Sequence, residues 1–246
     1  MVSGEKPTKK DINALSAGDQ ALYKEAKRFR EKFVSPEGWE AFMMAFLKKK
    51  ETALAQFAHS PESFDASRYK LAPLIAEKPE PYDPDQPYEF RTSMSTERET
   101  QRDIYIDAAL AFAILYKRDD GQWETISRIA FVPDLEKNVL LVDQIQGGDA
   151  EEIEKGGTKE AKRSRMKFKT QPEEILFNLA KELVVETGMK GIGLRKAKKV
   201  LWQGIKKAVM EGKTTLYDKA RDREGMRGFA SIQYDLLPVS AFDDEE

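Results

Sequence analysis

The chain has 246 residues, 40% of them hydrophobic and 34% charged, with a formal net charge of −2. That length can bury a sizeable core, and so even a charge balance gives no global pull toward nucleic acid or membrane. Cysteine is absent, which excludes disulfides, zinc–thiolate sites, iron–sulfur clusters and cysteine nucleophiles.

The opening Met1-Val2-Ser3-Gly4-Glu5-Lys6 has no apolar core of the kind a secretory signal needs. The longest weakly polar run, Ala108–Tyr116, is far short of the roughly 20 residues that span a bilayer. The expectation is a cytoplasmic protein with no transmembrane segment.

Residues 8–58 read as a helical annex. Ser16 can cap a helix carrying Leu22, Tyr23, Ala26, Phe29 and Phe33 at spacings of three and four. Ser35-Pro36-Glu37 is a second start, serine as cap and proline in the first helical position. Trp39, Phe42, Met43, Phe46, Leu47 and Leu54 then supply the apolar face, with Lys48-Lys49-Lys50 read as solvated. The annex either packs on the main domain or docks a protein partner, to which Met43-Met44 would adapt.

Residues 59–90 read as a proline-rich connector, extended over the surface. The single histidine, His59, sits beside Ser60-Pro61 and reads as exposed or capping; mechanisms needing two histidines are excluded.

Residues 91–240 read as an α/β domain. Asp107–Tyr116 is an apolar strand, Asp119-Asp120-Gly121 a hairpin turn, and Trp123–Val132 the returning strand. Leu135–Asn138 turns the chain again into a third strand that runs from Val139 to Gln146. Gly147-Gly148 closes that strand, upstream of a helix start, where α/β proteins dock phosphate-bearing ligands. The helix Gln171–Thr187 has Gly188 as its C-cap, and a short strand, Gly191–Arg195, follows. A basic helix, Lys196–Glu211, comes next. Tyr217, Asp218, Asp222 and Arg223 read as a loop, and Phe229–Leu237 as the last strand.

Two resemblances follow from this order. Ile145-Gln146-Gly147, a basic insert, Pro172 at a helix start, a leucine-rich helix, Gly188, a short strand, a basic helix and Tyr217-Asp218 resemble the VirK/YbjX family, over about residues 105–240. These are bacterial proteins of largely undefined biochemistry. Where that family runs on with tryptophan- and glycine-rich text, this chain has Lys219–Gly225.

The strand–helix–strand order is also similar to the acyl-CoA-dependent N-acyltransferase (GNAT) fold, whose pattern is Q/R-x-x-G-x-G/A. Gln144-Ile145-Gln146-Gly147-Gly148-Asp149 matches it up to Asp149, which stands where glycine or alanine belongs, and residues 149–170 separate it from the helix.

This second resemblance implies a mixed, mainly antiparallel sheet that splays between two strands and is flanked by helices. It implies acetyl-CoA or another acyl-CoA as cofactor, no metal, and a small-molecule or protein amine as acceptor. Gln146, Gly147 and Gly148 would offer backbone to the cofactor phosphates, with Arg163 and Arg165 in support. Tyr217 and Tyr234 are candidates by position to protonate the leaving thiolate, and Asp143, with Asp134, is the nearest carboxylate.

Two other readings stay open. From residue 155 to 207 there are 15 basic and 5 acidic residues, an asymmetry able to steer an anionic partner, nucleic acid or an acidic surface. With only Phe168, Phe177 and Trp202 in that stretch, base stacking has little support. The other is protein interaction through the N-terminal helices. A PD-(D/E)-x-K nuclease pattern over Pro133-Asp134 and Asp143 fails at Ile145, where the lysine should be. No G-x-x-x-x-G-K-[ST] loop and no G-x-S-x-G elbow occurs.

Overall fold

The computed structural model describes residues 39–76, 93–97, 99–106, 108–134, 137–147, 167–196, 209–223, 226–228 and 234–242. The strands are β1 (Tyr69–Ile75), β2 (Ser93–Glu97), β3 (Arg102–Ile106), β4 (Leu110–Lys117), β5 (Trp123–Asp134), β6 (Val139–Gly147), β7 (Gly191–Arg195), β8 (Arg227–Gly228) and β9 (Tyr234–Pro238). The helices are α1 (Trp39–Lys48), α2 (Pro172–Glu186) and α3 (Leu216–Arg223).

Seven strands form one sheet in the order β1-β4-β5-β6-β7-β9-β8, and β2 and β3 form a separate hairpin. Every neighbouring pair is antiparallel except β6 and β7. A parallel pair needs a crossover, and α2 supplies it. The fold is thus mixed α and β, a mainly antiparallel sheet flanked by helices, as expected from the sequence.

The three consecutive antiparallel strands follow from their residues. β4 is buried along its whole length except Lys117, so it reads as an unbroken apolar run rather than an alternation. The β4–β5 turn works because Gly121 takes φ +83, and the β5–β6 turn because Asn138 takes φ +59. Asn138 also donates from its side-chain amide to the Gly188 carbonyl at 3.1 Å, joining this turn to the end of α2.

Phe112, Ile129 and Ile145 lie in one register row, and all three belong to the main core. Phe46 of α1 stacks on Phe112 at 5.0 Å and meets Phe131 edge-on at 5.9 Å. The next rows carry Ala111, Ala130 and Gln144, then Ala113, Arg128 and Gln146. Neighbours across strands share a face, so this opposite face is small and polar.

α2 begins with Pro172 in its first turn. It ends in the predicted glycine cap: Gly188 takes φ +66, its N–H reaches the Val185 carbonyl at 3.1 Å, and the Met189 N–H reaches Val184 at 2.9 Å.

Several expectations need correction. The helix opened by Trp39 stops at Lys48, and Lys49–Glu51 and Leu54–Phe57 are short 3-10 turns. Lys49 is buried rather than solvated, because Glu182 and Glu186, one turn apart on α2, reach its ammonium at 2.8 and 2.5 Å. Phe42, Met43, Phe46 and Leu47 lie in the same core as the sheet, so these apolar residues of α1 pack on the main domain. Within 59–90, the stretch Tyr69–Ile75 is a sheet strand with Leu71, Ala72, Leu74 and Ile75 buried, not surface connector. The supposed loop at Tyr217 is helix α3; the last strand is described over Tyr234–Pro238, paired with the short β8, and its predicted start at Phe229 lies outside the described residues. The first predicted helix (residues 16–33), the stretch 79–87, most of the basic insert and most of the basic helix lie outside the described residues.

Candidate functional site

The sheet opens beside its parallel pair. β6 and β7 pair only from Val139–Gly191 to Val142–Leu194, while β6 runs on along β5 to Gly147. The cause is one extra residue. Ala130 pairs with Gln144 and Phe131 with Val142, so Asp143 is a bulge. A bulge bends its strand and raises the local twist, and here it sits where β6 and β7 part.

The parting point is pinned by charge. Arg195, the last residue of β7, donates from Nε at 2.9 Å and Nη2 at 2.8 Å to Asp143 Oδ1. The two side chains are 3% and 0% exposed, so the pair is desolvated. Counted from sequence as part of a basic surface, Arg195 is instead internal. Lys196 lies 3.6 Å from Asp235.

Tyr217 fills the gap beyond the ion pair. Its hydroxyl donates to the Asp143 carbonyl at 3.1 Å and accepts from the Ile145 N–H at 3.2 Å, with the residue 4% exposed. It is delivered by α3, which a capping box starts. Asp218 Oδ2 accepts from the Thr215 N–H at 3.0 Å and hydroxyl at 2.8 Å, and Thr215 Oγ1 accepts from the Asp218 N–H at 3.2 Å. Only Tyr217 and Ala220 of α3 are buried.

The outer side of α3 borders an open cleft of about 580 Å³. Lys196, Lys213 and Arg221 line it beside Asp218, Asp222 and Asp235, so neither sign prevails. The hydrogen bond to Asp222 pushes the Arg221 guanidinium above its ordinary value.

The expected site residues divide clearly. Asp143 and Tyr217 come together, through the Asp143 backbone rather than its carboxylate. The backbone of Tyr234 lies opposite Arg195 in the β7–β9 ladder, at the same end of the sheet. Gln146 turns its side-chain oxygen to Arg128 at 2.7 Å and Gln144 at 3.0 Å. Gly147 ends β6 opposite Ser127. Gly148, Arg163 and Arg165 lie outside the described residues.

The start of α2 is unlike a phosphate cradle. Its first turn has Pro172, which has no N–H, and the carboxylates Glu173 and Glu174. Glu174 pairs with Arg223 of α3 at 2.8 Å. Acids already complement the helix dipole there.

Sequence reasoning missed the pairing of Arg195 with Asp143, and Arg128 in the polar row. The available signal was position: Arg195 ends a strand whose other residues are all apolar or glycine, and such a charge needs a partner. Among the described residues no group of three or more metal-ligating side chains is placed to hold an ion. Among them, too, no helix is long and apolar enough to cross a membrane.

No family model matches the chain, and no curated protein does. Among solved structures the chain is similar to the crystal structure of nourseothricin acetyltransferase, at 16% identity over 70% of this chain and 87% of that one, with a TM-score of 0.26. So low a score leaves the fold to be argued from the sheet itself.

Proposed function

We propose that the protein is an acyl-CoA-dependent N-acyltransferase-like enzyme whose acyl donor enters where β6 and β7 part. One observation carries this reading: the ladder stops at Val142–Leu194 while β6 continues, so the Asp143 carbonyl and Ile145 N–H meet the Tyr217 hydroxyl rather than a strand. The resemblance to the N-acyltransferase fold implies an opening of this kind, beside the helix that joins the two strands.

The residues fit the two parts of such a donor unequally. The Asp143 carbonyl and Ile145 N–H suit the amides of a pantetheine arm. The start of α2, with Pro172, Glu173 and Glu174, does not suit a diphosphate. An acyl-CoA brings its acyl group as a thioester. Transfer to an amine forms a C–N bond, breaks the C–S bond, removes a proton from the amine and returns one to the thiolate. Tyr217, whose hydroxyl already donates to the Asp143 carbonyl, would be the proton source, and Tyr234 is an alternative by its backbone place opposite Arg195 alone. The Asp143 carboxylate, held by Arg195, fixes the bulge and is not free to serve as base in this state.

Thermal stability with coenzyme A and acetyl-CoA, at low and high salt and beside a polyanion, tests the reading. At 100-fold over its Kd a ligand adds about 2.7 kcal/mol, which is about 5–10 °C for a chain of this size. A salt-resistant rise with either compound supports it. No rise with them, but a salt-sensitive one with the polyanion, refutes it.

A further inference from the structure

Asp235 lies on β9 opposite Leu194 of β7, and it lines the cleft of about 580 Å³ beyond α3. The residue is 8% exposed. Among the described residues its carboxylate has one ionic neighbour, Lys196 at 3.6 Å, which is too long for a hydrogen bond. By number the charges of the cleft balance, but its other cations are engaged elsewhere. Arg221 donates to Asp222 from Nε at 2.9 Å and from Nη2 at 2.7 Å, and its Nη1 lies 3.4 Å from Asp218. Lys213 pairs at 2.7 Å with Glu211, which is outside the lining. Lys196 and Arg221 therefore face three carboxylates. The most buried of the three is the one that accepts no hydrogen bond from a described residue.

A carboxylate offers about four acceptor sites, and leaving a buried one without donors is costly. The volume is that of a small-molecule site, which spans about 300–1,000 Å³. Val209 and Met226 add apolar wall to the charged lining. The ligand that answers both demands carries a compact positive charge on a short aliphatic body. An alkylammonium has three donors on one charge, and its bond to a carboxylate is charge-assisted. An anion would instead have to draw Arg221 from Asp222 or Lys213 from Glu211.

We infer that this cleft is a binding site for a primary alkylammonium, with the ammonium on Asp235 and the methylenes against Val209 and Met226. The source is a free aliphatic amine or a lysine side chain. Helix α3 turns Asp218, Arg221 and Asp222 to the cleft while it buries Tyr217 and Ala220, and Tyr217 is not part of the lining. The site is thus separate from the parting of β6 and β7, and it stands whether or not the protein uses an acyl-CoA.

The test is a titration of the full chain, its methionine methyls labelled with ¹³C, against n-butylamine, n-butanol and butyrate. At about pH 7 the amine keeps its proton, so the three probes share one body and differ in charge. The Met226 resonance, assigned by its loss in Met226→Leu, should shift with n-butylamine, while that of Met43, buried in the core, stays in place. n-Butanol and butyrate should bind at least tenfold more weakly. Asp235→Asn keeps the side chain's size and should lower the n-butylamine affinity at least tenfold, with circular dichroism reporting that the variant is folded. Tighter binding of 1,4-diaminobutane than of Nα-acetyl-lysine N-methylamide assigns the ligand as a free amine, and the reverse assigns it as a lysine side chain; either upholds the site. Equal affinity for the three butyl compounds, a preference for butyrate, an affinity unchanged in Asp235→Asn, or a static Met226 resonance with every amine overturns the inference. Each of these outcomes leaves the thermal test with coenzyme A, and the reading it decides, untouched.

Discussion

Replacing Asp143 by asparagine is the sharpest single perturbation of this fold. The change keeps the side chain's size but removes its charge. It takes the counter-charge of Asp143 from the Arg195 guanidinium, which is 3% exposed and donates twice to Asp143 Oδ1. Breaking a buried pair by removing one partner costs about 3–5 kcal/mol, against a total stability of about 5–15 kcal/mol for a folded domain. For a chain of 246 residues each kcal/mol moves the midpoint by about 2–4 °C, so the melt should fall by about 10 °C. Removing both charges at once, Asp143→Leu with Arg195→Met, leaves neither charge of the pair facing the loss of the other and should cost far less than the asparagine change alone. Guanidinium unfolding followed by circular dichroism measures all the variants, and the slope should stay constant so that midpoints report stability. An Asp143→Asn cost below about 1 kcal/mol would refute the reasoning: the pair would then be hydrated in solution, and the parting of β6 and β7 would not be pinned there.

Lys49→Met should cost less than about 1 kcal/mol in the same assay, because Glu182 and Glu186 are 53% and 49% exposed and rehydrate when the ammonium goes; a larger loss would mean the docking of α1 depends on the charge. Gly191→Ala should destabilise by about 1–3 kcal/mol, since a Cβ there would lie 2.5 Å from the Leu237 carbonyl oxygen on β9; a neutral result would show that β7 and β9 lie further apart than described. Burial pushes the Glu97 carboxyl up, yet hydrogen bonds from Lys70 and Thr100 outweigh it and hold it below its ordinary 4.5. A depressed carboxylate contributes stability above its unfolded value and loses it as pH falls through the folded one. The stability advantage of wild type over Glu97→Gln should therefore be full above about pH 5 and shrink below 4.5 in pH-dependent melts; an advantage independent of pH would contradict that assignment.

The sheet's centre is legible because local and tertiary demands agree there. β4, β5 and β6 are apolar runs joined by turns whose glycine and asparagine take the positive φ required, and α2 carries both proline at its start and glycine at its end. What escaped were elements whose local residues say one thing and whose neighbours decide another. β1 contains Pro73, which argues against a strand interior, yet among the described strands β1 stands at the sheet's edge and so tolerates it. Helix α3 has a charged composition that reads as loop; its capping box, Thr215 with Asp218, is the local signal and was passed over. Lys49 looked solvated because its neighbours in sequence are lysines, while its partners lie more than 130 residues away. At the site, Asp143 and Tyr217 could be named by type and position. The bulge that brings them together is a register property of two strands, which a single sequence does not display.

The acidic start of α2 bears on how a donor would be recognised. Glu173 and Glu174 occupy the turn where the fold resemblance would place phosphates, and Glu174 is engaged by Arg223. The backbone groups at Asp143 and Ile145, by contrast, are uncharged and are hydrogen-bonded by the Tyr217 phenol. If the amide arm carries most of the affinity, coenzyme A and pantetheine should bind within about tenfold of each other, and coenzyme A should lose little between low and high salt, since exposed charge pairs are screened within about 10 Å at 0.1 M salt. Isothermal titration across a salt series reads both quantities. A coenzyme A affinity that far exceeds that of pantetheine and falls steeply with salt would locate recognition in a cationic phosphate site instead, and would leave the carboxylates at the head of α2 unexplained.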